Sequence, residues 1–297
     1  MGIALAFVAA CISGFSVFLN SFAVREFGDP TLYTTAKNLV AAAIVLGAAV
    51  CLGAARSPWG LVFPRTAREK VGLLVVGVVG GGFAFALFFQ GLAQTSSTSA
   101  AFIQKTLVIW VAVLAVAFLR ERFTLFHVAA IALLVGGQSV AAGGFGPIAL
   151  DRGEVMVLIA TLLWSVEIVI VKSLLRGLSP LTVALGRLGI GVVVLSAILI
   201  ATGGTAQLAF VPLQGWLWVG LTGVVLSGYV VVWYLALKHV GAIDVTAVLV
   251  FGAVITAVLG AGIRGTSLAP TALGLALITI GCVLIAALGA DRRRAPA

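Results

Sequence analysis

Charge is scarce in this chain. Of 297 residues, 9% are Asp, Glu, Lys or Arg, only 9 are acidic, and 62% are hydrophobic. A soluble domain is about a quarter charged. So few charges cannot cover a water-facing surface of this size, which excludes a soluble globular enzyme, a disordered chain, a coiled coil or a collagen. Histidine and cysteine are scarce too, at 2 and 3 residues. Cys11, Cys51 and Cys282 lie in separate apolar runs with no pairing pattern and read as small core residues, not a disulfide or metal set. His127 and His239 lie without Cys or acid clusters, so no metal site is expected. No G-x-x-x-x-G-K-[ST] loop, Ser–His arrangement or paired carboxylates are present, so neither nucleotide hydrolysis nor other catalysis is expected, and no cofactor is implied. The first 24 residues lack a basic leader, which reads as a first membrane span and not a cleaved signal.

What is present is apolar length. At about 20 residues per helical span, the chain holds roughly ten spans and no separate soluble domain. Charge, proline and polar clusters place the spans near 3–24, 31–53, 71–93, 99–119, 124–143, 154–174, 180–202, 215–237, 243–263 and 270–290. The segment 144–153, with Gly144, Gly146, Pro147 and Asp151, is the natural midpoint. The fold class is therefore an all-α integral membrane protein of ten helices.

The net charge of +9 is explained by where the basic residues fall. With a cytoplasmic N-terminus, the inner segments hold Arg56, Arg65, Arg68, Lys70, Arg120, Arg122, Lys172, Arg176, Lys238, Arg292, Arg293 and Arg294, whereas the outer ones hold only Arg25, Arg152 and Arg264. This is the positive-inside bias. It places both termini in the cytoplasm and requires no nucleic-acid partner.

The two halves share their punctuation. Asp29-Pro30 opens span two and Ser179-Pro180 opens span seven, each an N-capping side chain before proline. Seven residues after each proline stands an intramembrane cation, Lys37 and Arg187, an offset of 150 positions. The aromatic pairs Phe88-Phe89 and Trp233-Tyr234 match at an offset of 145. Five spans per half is odd, so the second half crosses the bilayer upside down. Residues 1–145 and 150–290 then form inverted five-helix repeats, and 291–297 a basic tail. Such repeats place a binding site near the midplane and suit alternating access.

The chain resembles the EamA-type ten-span members of the drug/metabolite transporter superfamily. The resemblance is carried by Leu119-Arg120-Glu121-Arg122-Phe123-Thr124-Leu125, similar to the Glu-Arg-Leu stretch that closes the family's fourth span, and by the Gly136-Gly137 ending of span five. The corresponding second stretch, Ile263-Arg264-Gly265-Thr266-Ser267-Leu268, lacks the Glu, and the family's proline in spans four and nine is absent. The resemblance implies export of small metabolites across a bacterial inner membrane, often of amino acids, with aromatic amino acid export the first comparison. It also implies a cavity framed by spans one, three, four, six, eight and nine. The partners expected are the lipid bilayer and a small-molecule substrate, and the working unit is a monomer.

Intramembrane charges cost roughly 2.5–3.5 kcal/mol each and need a reading. Glu167 and Arg187 flank the turn near Gly177 at similar distances, so a helical hairpin sets them at one depth, and they are expected to pair as a structural clamp or a gate. Lys105 either snorkels outward or meets a substrate carboxylate in a cavity, while Lys37 reads as snorkelling. Asp244 reads as the N-cap of span nine. Tyr33, Trp216, Trp218 and Tyr234 fall at span ends and read as interface belt, and Trp59 falls in a loop. Trp110, Trp164, Phe83, Tyr229 and Phe251 sit near mid-bilayer, with Ser13, Gln104, Ser165 and Ser227 as polar neighbours. These read either as helix packing or as an aromatic-polar cavity. The candidate substrate-binding set is Ser13, Phe83, Gln104, Lys105, Trp110, Trp164, Ser227, Tyr229 and Phe251. Gly77, Gly81, Gly186, Gly189 and Gly191 mark close helix packing or local flexibility.

The function expected is a secondary-type exporter of small zwitterionic metabolites, hydrophobic or aromatic amino acids foremost. The rivals are an exporter of cationic drugs, which needs an unpaired acid at the site, and a membrane-embedded enzyme, which needs a catalytic pair. Uniport, exchange and proton antiport all fit.

Overall fold

A computed structural model describes residues 2–54, 60–95, 97–144 and 151–291. Arg56, Trp59, Gly146, Pro147, the basic tail 292–297 and the side chain of Arg25 lie outside the described residues. Among the described residues ten apolar helices follow in order: α1 (Gly2–Phe27), α2 (Pro30–Ala54), α3 (Ala67–Gln94), α4 (Ser99–Leu119), α5 (Leu125–Ala141), α6 (Arg152–Leu174), α7 (Pro180–Ala201), α8 (Leu213–His239), α9 (Ala242–Arg264) and α10 (Ala272–Asp291). Among the described residues nine are long and apolar enough to cross a membrane. The tenth, α5, has 17 residues, roughly 25 Å at 1.5 Å per residue.

Local sequence sets the helix starts. Asp29 Oδ1 accepts from Leu32 N at 2.7 Å, and Ser179 Oγ from Thr182 N at 3.1 Å, each ahead of a first-turn proline. Thr66 and Glu69 form a capping box at the start of α3. The N-cap of α9 is Gly241, not Asp244. The α9 N–H groups are instead satisfied from α4's exit, where Glu121 accepts from Ala242 N at 2.7 Å and Ile243 N at 3.1 Å.

Packing obeys the inverted symmetry. Helix α1 packs on α8 and α9, as α6 packs on α3 and α4. Helix α2 meets α8 as α7 meets α3, while α2–α7, α4–α9 and α5–α10 are each their own counterpart. Exchanging the two five-helix halves leaves this contact pattern unchanged. The approach of α3 to α7 needs glycine: a Cβ on Gly81 would meet Arg187's carbonyl, and one on Gly191 would meet Gly81. Cys282 is buried against α9, but Cys11 and Cys51 are exposed, a departure from the core reading.

Among the described residues three helices depart from regular α geometry near the bundle centre, and α4 does so again over its last turn, Ala115–Leu119. Helix α4 breaks at Thr106 and α9 at Val250-Phe251, where bonds tighten to the i−3 carbonyl, as in Thr106 N→Ile103 O (3.1 Å) and Phe251 N→Val248 O (3.0 Å). The breaks are matched positions in the two halves and form without proline. Helix α3 widens into π geometry over Val76–Phe83, across Gly80-Gly81-Gly82. Irregular backbone at membrane depth is tolerated where it lines a cavity or is buried in protein.

Candidate functional site

A cavity of about 220 Å³ lies between the halves, more than ten times the roughly 15 Å³ a single water needs. Its wall comes from α1 to α4 and α6 to α9. Helical phase decides which side chains face it. On α3 the facing residues are Phe85, Phe88, Phe89 and Leu92; on α8 they are Leu226, Tyr229, Val230, Trp233 and Tyr234. Both sets follow the i, i+3, i+4, i+7 spacing of one helix face. The aromatic wall interlocks: Phe85 packs edge-on to Trp164 with centroids 5.4 Å apart, and Tyr229 stacks on Trp233 at 6.1 Å.

At the deep end sits a buried polar network. Arg187 Nε donates to Glu167 Oε1 at 2.7 Å, Nη2 donates to Oε2 at 3.3 Å, and Tyr234 Oη donates to Oε1 at 2.7 Å. The widened turn of α3 turns Gly80's carbonyl to the same place, where it accepts from Trp164 Nε1 at 3.1 Å. A Cβ at Gly80 would collide with the Glu167 carboxylate, so any larger residue there would displace that side chain from its place beside Arg187. The expected Glu167–Arg187 pair is thus present, inside a larger network.

A second polar group lies toward the other end. Lys37 is 2% exposed. Its Nζ is 3.3 Å from Asn20 Oδ1 and 4.2 Å from the centroid of Phe89. Tyr33 donates to Asn20 Oδ1 and lies 3.0 Å from Thr222 Oγ1. Lys37 therefore does not snorkel, and Tyr33 and Tyr234 are buried, not interfacial, their hydroxyls donating to Asn20 and Glu167. Trp216 and Trp218 instead pack on Phe27 and Phe22.

Of the residues expected at a site, Ser13, Gln104, Lys105, Trp164, Tyr229, Glu167 and Arg187 line the cavity. Four do not. Trp110 is 38% exposed, its Nε1 donating to Thr106 Oγ1 of its own helix at 3.2 Å. Phe83 is 48% exposed on the far side of α3. Ser227 is one residue out of phase on α8 and donates to Val224 O at 2.7 Å. Phe251 packs edge-on to Phe7 beside the break. The sequence reading missed Lys37, Asn20, Gly80, Phe85, Phe88, Phe89 and Trp233 as site residues. The repeat match of Lys37 to Arg187, and of Phe88-Phe89 to Trp233-Tyr234, was the signal that could have placed four of them.

The two ends of the cavity differ. The lining reaches Leu92 and Ala100, close to the helix ends on the side of Asp151. On the side of Glu121 it stops beneath polar ties. Lys172 Nζ donates to Val240 O at 2.6 Å, Glu121 caps α9, and His127 Nε2 lies 3.2 Å from Asp244 Oδ1. His127 Nδ1 accepts from Thr124 N at 3.1 Å, which puts the Nε2 proton toward Asp244.

Comparison with known proteins completes the description. Residues 1–142 and again 151–287 match the EamA-like transporter family. A solved crystal structure shares the fold at a TM-score of 0.70 with 20% sequence identity, covering 98% of this chain and 99% of that one. No curated protein matches. Two consecutive matches across an inverted ten-helix bundle leave one assignment: the chain belongs to the EamA-like transporter family, membrane transporters of the drug/metabolite type.

Proposed function

We propose that the chain exports small metabolites bearing a carboxylate and an apolar or aromatic body, hydrophobic amino acids among them, by alternating access in a bacterial cytoplasmic membrane. It works as a monomer with both termini inside, and it carries out no catalysis. One observation carries the reading: an aromatic cavity with charged groups at both ends sits between inverted halves, at the level where α4 and α9 break. Pre-broken helices give each half a hinge, and the polar ties at the Glu121 end match a state closed there and approached from the Asp151 end. The acid a cationic drug would need is Glu167, and Arg187 and Tyr234 already occupy it.

The test is reconstitution in liposomes loaded with labelled phenylalanine, leucine, glutamate and an apolar carboxylate. Saturable flux of at least one apolar substrate, above protein-free liposomes, is expected without an imposed proton gradient. No flux of any compound, with or without a gradient, would refute the proposal.

A further inference from the structure

Resting on that transport reading and narrowing it, we propose that the cavity selects organic acids whose carboxylate is not balanced by an ammonium group, in preference to the zwitterion or amine of the same body. The argument is a count of donors and acceptors. Three cations line the cavity: Lys37, Lys105 and Arg187. One carboxylate faces them, Glu167, and both of its oxygens accept from Arg187, with Oε1 also accepting from Tyr234. Two lysines are left without a carboxylate among the described residues. Among the described residues Lys37 Nζ meets the amide oxygen of Asn20, which Tyr33 also uses, and the faces of Phe89, Tyr33 and Phe85. Lys105 Nζ has no hydrogen-bond acceptor among the described residues, and Lys105 lines the cavity one residue before the break of α4. Arg187 Nη1 is buried without a hydrogen-bond partner among the described residues.

The site therefore holds surplus donors and surplus positive charge in a low-dielectric setting. A ligand carboxylate supplies two oxygens that can accept from such donors. An ammonium supplies further donors and finds no free acid, and the lysines repel it. A flat apolar body suits the wall formed by Phe85, Phe88 and Trp233.

The probes are hydrocinnamate, phenylalanine and phenethylamine, which share one phenyl group and a short chain and differ in their charged ends. Binding to the purified full chain is read at neutral pH by quenching of tryptophan fluorescence, since Trp164 and Trp233 line the cavity. Hydrocinnamate is expected to bind at least about tenfold more tightly than phenylalanine, with phenethylamine weakest. Losing one charge-assisted bond is expected to weaken hydrocinnamate about tenfold or more in Lys37→Gln or Lys105→Gln. Phenethylamine should not weaken in either variant, and Lys37→Arg and Lys105→Arg should each recover most of the hydrocinnamate affinity. Equal or tighter binding of phenylalanine or phenethylamine, the same loss for all three probes, or no binding at all would overturn the proposal. Liposome flux separates it from the transport reading. Lysine-dependent hydrocinnamate binding without flux of any probe refutes transport and leaves the ligand class standing; flux of phenylalanine without preference for the acid does the reverse.

Discussion

Removing either member of the Glu167–Arg187 pair should cost more than removing both in proportion. Both side chains are buried, at 3% and 7% exposure, with 2.7 Å between Arg187 Nε and Glu167 Oε1. Breaking a buried pair from one side costs about 3–5 kcal/mol, mostly for the charge left behind. Glu167→Gln strands the guanidinium against Gly80 and Phe85, and Arg187→Gln strands the carboxylate with only Tyr234 as donor. At about 2 °C per kcal/mol for a chain of this size, each single change should lower the unfolding midpoint by about 6–10 °C. In the double variant two neutral amides face each other and no charge is stranded. Contacting residues couple by up to about 3 kcal/mol, so the double variant should melt about 6 °C above the additive expectation. The assay is thermal unfolding of the detergent-purified full chain, followed by fluorescence. A double variant that falls within about 1 °C of the summed losses would refute the reasoning, because it would show that each side chain acts through separate contacts.

Other outcomes follow from the same geometry. Trp164→Ala should reduce liposome flux severalfold by removing the donor to Gly80 O and part of the cavity wall, whereas Trp110→Ala should leave flux within about twofold; equal effects in a flux assay would contradict the assignment of faces on α4 and α6. Glu121→Gln should loosen the tie between α4 and α9. Labelling of Thr246→Cys by a maleimide added from the Glu121 side should then rise severalfold in a background with Cys11, Cys51 and Cys282 replaced, and unchanged labelling would mean that Glu121 does not hold that end closed. Gly81→Ala pushes a methyl group into Arg187's backbone, so a loss of about 1–3 kcal/mol in unfolding experiments is expected; Gly189→Ala, where a Cβ meets open space, is the control.

The sequence by itself determined the helices, their number and their alternation, because in lipid every backbone group must be bonded within its own segment and apolar length alone marks a span. It also determined the doubled, inverted plan. The punctuation Asp29-Pro30 and Ser179-Pro180 fixes helix starts locally, and five spans per half fixes the inversion. Even the Glu167–Arg187 contact was legible, since a hairpin around Gly177 sets depth by counting residues. What only the tertiary structure decided was azimuth: which side of each helix meets the cavity. Trp110 and Trp164 are equally deep, but one faces outward and the other donates to Gly80. Lys37 could have snorkelled, but Asn20, Tyr33 and Phe89 arrive from three different helices and hold it inside. Likewise Glu121 and Asp244 find their roles only when α4, α5 and α9 meet, across gaps of more than a hundred residues that no local pattern spans.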